Sequence, residues 1–154
     1  GQVVFGLISA PALKKMYWGT QLLGSFLSSN DEIKKIFVNI PKKTESLKII
    51  SSRNHSNQET NDFISSFYKK KSLHVGSSLK FCLIASGEAD IYPRFGRTCL
   101  WDTAAGQAIL ENAGGTVTTL LGEKLFYTHS SIYNPYFIAS SIPPNKIKNY
   151  QSLI

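Results

Sequence analysis

Acidic side chains are scarce in this sequence: 10 Asp and Glu stand against 17 Lys and Arg in 154 residues, a formal charge of +7. Any chemistry that needs several carboxylates has few residues to draw on. Cysteine is scarcer still. Cys82 and Cys99 have no metal-ligand spacing and are too few for a disulfide framework, so reduced thiols and a cytoplasmic setting are expected. No apolar run reaches the roughly 18 residues of a membrane-spanning helix. What is plentiful is core material. A hydrophobic content of 42% and an aromatic content of 12% exclude a disordered chain. The length suits one domain, or two small ones sharing a core.

The lysines come as pairs and one triplet, Lys14-Lys15, Lys34-Lys35, Lys42-Lys43 and Lys69-Lys70-Lys71. Spread in this way they fit a solvated surface, and equally a field that attracts an anionic partner such as a phosphate compound.

The pattern changes partway along. Short β-rich runs punctuated by Gly19, Gly24, Pro11 and Pro41 predict a meander of about four strands over residues 1–45, the last over Ile36–Ile40. Strands then alternate with helices over 46–154, which predicts an α/β fold with helices layered on a sheet. Helices are expected over about 58–70, from Leu79 onward, and over Trp101–Ala113, the last stopped by Gly114-Gly115. Offsets of 0, 3, 4, 7 and 8 predict that Trp101, Ala104, Ala105, Ala108 and Ile109 form its buried stripe. Its small residues allow close approach to a neighbour.

Three places could carry chemistry. Gly76-Ser77-Ser78-Leu79-Lys80 follows a strand and opens a helix. Glycine permits a sharp turn, and the hydroxyls with Lys80 suit a phosphate, though an ordinary serine-capped helix fits the same residues. Asp102 stands in the first turn of a helix, where a carboxylate either caps the helix or binds a hard cation. Ser51-Ser52-Arg53-Asn54-His55 lies just past a strand end, where Ser52 and His55 could hold a base or ribose, or simply be solvated. His74 and His129 are expected to be structural.

These three places occur in a recognisable order. Gly-Ser-Ser-Leu-Lys-Phe-Cys-Leu-Ile-Ala (76–85), Tyr-Pro-Arg-Phe-Gly (92–96) and Trp-Asp-Thr-Ala-Ala-Gly with its following Ala-Gly-Gly (101–115) resemble the C-terminal half of bacterial 3′(2′),5′-bisphosphate nucleotidases. Those enzymes are a branch of the metal-dependent phosphatases typified by inositol monophosphatase. The opening Gly-Gln-Val-Val-Phe-Gly-Leu-Ile-Ser-Ala-Pro is similar as well.

The resemblance implies a layered α/β/α/β sandwich. It also implies Mg²⁺-dependent removal of the 3′-phosphate of adenosine 3′,5′-bisphosphate, with an inositol-phosphate phosphatase and a non-catalytic basic nucleotide-binding module as alternatives. By position, Asp102 would be catalytic and a metal ligand. Gly76, Ser77 and Lys80 would meet the nucleotide, and Ser52 and His55 its adenosine portion. The expected partners are a small nucleotide bisphosphate rather than nucleic acid, the chain's own N-terminal half, and peripherally the inner face of the cell membrane. Such enzymes draw further carboxylates from an Asp-Pro-x-Asp signature, which does not occur here; the aspartates are Asp31, Asp62, Asp90 and Asp102. The expectation is therefore a C-terminal portion, inactive alone, with residues 1–45 the remainder of an antiparallel sheet domain and 46–154 an α/β domain.

Overall fold

The computed structural model describes residues 1–51, 57–127 and 131–151. The first forty residues form the predicted four-stranded antiparallel meander, β1 (Phe5–Ala10), β2 (Lys15–Thr20), β3 (Gly24–Ser29) and β4 (Glu32–Ile36), ordered as in the chain. The fourth strand lies earlier than expected. Asn30 and Asp31 both take positive φ (50° and 62°), which closes a tight hairpin and leads straight into the polar Glu32–Lys35. That stretch is exposed, as suits an edge strand; the apolar run 37–40 lies beyond the sheet.

Alternation along β2 and β3 sends Tyr17, Gly19, Ser25 and Leu27 to the buried face. Trp18 and Phe26 stack on the other, their ring centroids 5.6 Å apart. Gly6 of β1 pairs with Gly19, and Gly19 with Ser25, so the middle of the buried face is nearly flat.

The second sheet is mixed. Its strands are β5 (Leu47–Ser51), β6 (Lys70–His74), β7 (Ile91–Arg94), β8 (Thr116–Thr119) and β9 (Phe137–Ser140), in the order β6-β5-β7-β9-β8. The β5 pairings are parallel, and the β9 pairings antiparallel. Residues 124–127 form no strand and contribute an isolated bridge between Thr118 and Lys124. Among the described residues three α-helices accompany the sheets: α1 (Gln58–Ser65), α2 (Leu79–Ala85) and α3 (Leu100–Asn112). The first stops five residues short of the expected Lys70, because Lys70 opens β6.

The side chains define the layers. On one face of the second sheet Leu47, Ile49 and Ile91 pack with Ile64 of α1, Phe67 and Ile147. On the other, Ile50, Tyr92 and Phe137 pack with Phe81 and Ile84 of α2 and Ile109 and Leu110 of α3. Tyr17 and Leu27 of the first sheet join that same cluster. The order through the molecule is therefore helix, sheet, helices, sheet, the α/β/α/β sandwich that the resemblance implies.

Helix α3 is enclosed between two sheets, which overturns the single buried stripe. Thr103, Gly106, Gln107, Ala108, Ile109 and Leu110 are buried, spanning more than one side of the helix, while Trp101 is 69% exposed. A helix with apolar partners on two sides has no one stripe for periodicity to find. The close approach expected of its small residues is real. A Cβ on Gly6 would stand 2.2 Å from the Ala105 carbonyl oxygen, and one on Gly19 2.8 Å from the Ile109 Cα. Beside them Ser25 Oγ donates to the Ile109 carbonyl at 2.6 Å. Gly114, at φ +96°, makes the expected left-handed stop after α3.

Candidate active site

The carboxyl end of β6 leads into the 75–78 turn, and β7 ends at Arg94. With the first turn of α3 these elements enclose a cleft of about 690 Å³, at the carboxyl ends of parallel strands, where ligands of α/β sheets collect. Gly76, Ser77, Lys80 and Asp102 all line it. Ser52 and His55, expected at the adenosine portion, lie outside the described residues, as does His129. His74 sits at the end of β6, its Nδ1 2.9 Å from Ser51 Oγ.

The turn differs from its expected form. Gly76 has open space where a Cβ would stand and does not take a positive φ. The residue in the left-handed region is Ser77, at φ 58°. Ser78 caps α2 without a side-chain hydrogen bond, so it is not an ordinary serine cap either. What holds the turn is Lys80, whose Nζ donates to the Ser77 carbonyl at 2.9 Å and lies 4.9 Å from the Tyr92 ring centroid.

Lys80 is an unusual lysine. Only 5% of it is exposed. Burial, helped by the nearby Arg94 charge, draws its ammonium down to about 8, against the opposing pull of Asp102. A buried ammonium beside a guanidinium is held at a cost that an incoming anion would relieve.

Asp102 does act on the helix start. Its Oδ2 accepts the Cys99 backbone N–H at 2.8 Å, satisfying a backbone donor at the helix N-terminus. The residue is exposed. Helix capping and ligand binding are therefore not exclusive here.

The cleft also takes residues that patterning did not single out as ligands. Arg94 and Arg97 line it together with Thr98 and Trp101. Arg94 Nη2 donates to the Arg97 carbonyl at 3.1 Å, and the Arg97 guanidinium carbon lies 3.7 Å from the Tyr133 ring centroid. Arg94 stands inside the quoted Tyr-Pro-Arg-Phe-Gly block, and Arg97 three residues on; both were within reach of a sequence reading. Tyr133 could only be found in space.

Among the described residues the cleft thus holds three basic residues, Lys80, Arg94 and Arg97, and one acid, Asp102. That set suits an anion. It does not suit Mg²⁺, which wants several oxygen ligands in octahedral array, whereas one oxygen of the single carboxylate is already engaged. Among the described residues no group of three His, Cys, Asp or Glu could hold a metal.

Comparison with known proteins places the chain among its relatives. The chain is similar to the 3′(2′),5′-bisphosphate nucleotidase CysQ of Salmonella typhimurium, 38% identical over 138 residues that make up 89% of this chain and 54% of that protein. It is similar to the protein of the same name in Buchnera aphidicola, at 39% over 152 residues, 92% of this chain and 54% of the other. The chain thus spans about half the length of these relatives. Among solved structures, CysQ from Bacteroides thetaiotaomicron superposes with a TM-score of 0.80 at 31% identity, covering 90% of this chain and 58% of that one. The inositol monophosphatase of Thermotoga maritima superposes with a TM-score of 0.73 at 26% identity, over 97% of this chain and 55% of that one. The model of the inositol monophosphatase family matches residues 1–147, and the chain belongs to that family.

Proposed function

We propose that this chain carries the nucleotide-binding part of a 3′(2′),5′-bisphosphate nucleotidase active site, whose substrate is adenosine 3′,5′-bisphosphate and whose product is AMP. The observation that carries the reading is a buried lysine, Lys80, and two arginines facing one carboxylate in a single open cleft. Lys80 and Arg94 would take a phosphate, because an anion placed between them relieves the cost of holding two cations together. The Ser77 hydroxyl stands at the same turn as a further donor. The exposed Trp101 gives the cleft an apolar wall beside a sugar or base. The names of the relatives speak of a 3′(2′),5′-bisphosphate nucleotidase, and the adenosine portion is what the sequence resemblance implies.

Asp102 is proposed as one ligand of a Mg²⁺ site that the described residues of this chain do not complete. In this family's chemistry the metal would supply an activated water and charge neutralisation at the leaving oxygen. What the residues of this chain do is bind and orient: the cations fix the phosphate, and Asp102 keeps the first turn of α3 in place through Cys99. A second reading, binding without turnover, is favoured by the single carboxylate. The 154-residue polypeptide by itself is therefore expected to bind the nucleotide and leave it intact.

The test is a calorimetric titration with adenosine 3′,5′-bisphosphate, paired with an assay for released phosphate in the presence of Mg²⁺. Binding without release is the expected result. Release of phosphate at enzymatic rates would overturn the non-catalytic reading of this polypeptide. Failure to bind the bisphosphate would overturn the nucleotide cleft. The same assays with inositol 1-phosphate separate the inositol-phosphate alternative.

A further inference from the structure

We infer that Arg97, laid flat on Tyr133 at the rim of the cleft, is a second anion seat that receives the second phosphate of a two-phosphate nucleotide, while Lys80 and Arg94 on the floor receive the first. The inference rests on the nucleotide reading above and gives it a means of telling two phosphates from one.

The seat is built rather than incidental. Stacking at 3.7 Å uses the face of the guanidinium and leaves its in-plane N–H donors free to meet a phosphate in a forked contact. Among the described residues those donors have no hydrogen-bond partner, and the only ion pair is Lys124 with Glu111, elsewhere in the molecule. An exposed arginine ordinarily samples many rotamers, and ordering it costs conformational entropy. Here the aromatic ring fixes its plane in advance.

The ring is itself fixed. Tyr133 bridges Cys99 in antiparallel fashion. On either side of it the Leu100 N–H donates to the Ile132 carbonyl at 2.9 Å, and the Asn134 N–H to the Thr98 carbonyl at 2.9 Å. The Asn134 side-chain amide donates to the Cys99 carbonyl at 2.7 Å. Arginine and ring therefore ride on two segments stitched to each other at the start of α3.

Floor and rim are distinct seats. Lys80 is buried, whereas Arg97 is exposed. Arg94 Nη2 is turned to the backbone carbonyl of Arg97, whereas the Arg97 guanidinium is turned to the Tyr133 ring. Lys80 and Arg94 suffice for one phosphate group, and Arg97 remains for another.

The full 154-residue chain, titrated calorimetrically with adenosine 3′,5′-bisphosphate and with inorganic phosphate, tests this. Arg97→Gln is expected to weaken the bisphosphate about tenfold, the scale of one charge-assisted forked contact, and inorganic phosphate less than about twofold. Arg97→Lys should recover part of the loss, and Tyr133→Leu should reproduce part of it by freeing the guanidinium plane. Arg97 is exposed, and unchanged thermal melting would show that the variant folds. Undiminished bisphosphate affinity in Arg97→Gln, or an equal loss for both ligands, overturns the second seat. A wild-type chain that does not prefer the bisphosphate over inorganic phosphate removes the nucleotide reading as well. A preference that survives Arg97→Gln removes only the seat.

Discussion

From Ala105 to Ala113 helix α3 is fitted against its neighbours with no slack, whereas its first turn stands in the open beside three cations. At the closed end glycine replaces side chains: Gly6 and Gly19 let the backbones of β1 and β2 touch the helix. Gly106 likewise admits the Phe81 ring, which would lie 2.5 Å from any Cβ placed there. At the open end Trp101 and Asp102 are exposed, and a buried ammonium sits among polar groups. The closed end contributes rigidity. The open end spends some stability on keeping charges where an anion will meet them, and substitutions at the two ends should therefore fail differently.

The largest effect is expected at the seam. Gly6→Val would drive a branched side chain into the Ala105 carbonyl, which is backbone and cannot swing aside. A loss of about 3 kcal/mol or more in urea unfolding is expected, since overpacking against an unyielding neighbour lies at the upper end of such costs. Unchanged stability would mean that α3 does not lie on the glycine pair.

Next comes Lys80→Met, which keeps the stem and removes the charge. Anion binding should fall by about tenfold or more, while stability holds or rises, because a poorly solvated charge has been removed. The sign in pH is specific. With the folded Lys80 near 8 and the ordinary lysine value at 10.5, the unfolded chain holds this proton longer. Its contribution to stability should thus rise with pH between about 8 and 10.5. Anion affinity should fall as pH passes about 8, because the ammonium that attracts the phosphate is lost. Parallel titrations of wild type and Lys80→Met isolate the Lys80 part. Identical pH profiles in the two would remove Lys80 from the site.

The smallest of these effects is Ser25→Ala. It deletes one buried hydrogen bond and leaves the Ile109 carbonyl with the Ala113 N–H at 3.2 Å, for a loss of about 1 kcal/mol, read from the urea midpoint. Phosphate affinity should stay unchanged, which separates seam from cleft.

The sequence carried the architecture well where local chemistry decided it. The Gly114-Gly115 stop, the meander and the start of α3 all follow from local chemistry. It misled where two partners competed for one element. Trp101 reads as core on periodicity, yet α3 is buried on more than one side and Trp101 points to the cleft. The apolar run 37–40 outscored Glu32–Lys35 as a strand, because nothing in a window of sequence shows that Asn30 and Asp31 close the hairpin first. Gly76 drew attention as the flexible residue, but the unusual backbone belongs to Ser77, held by a lysine three residues on. In the cleft, Gly76, Ser77, Lys80 and Asp102 were all legible as candidates from their helix openings. Arg97 with Tyr133 was not, since they stand 36 positions apart and only the pairing of the 98–100 and 132–134 segments brings them together.

The flatness of Gly6 against Ala105 has a reach beyond packing. Ala105 stands one helical turn below Asp102, so the height at which the carboxylate presents itself to a ligand is set by a strand that bears no reactive group. Thickening that strand by a single methyl would tilt the cleft's acidic wall without altering any side chain in it. Affinity in this molecule can be tuned from behind, by carpentry rather than by chemistry.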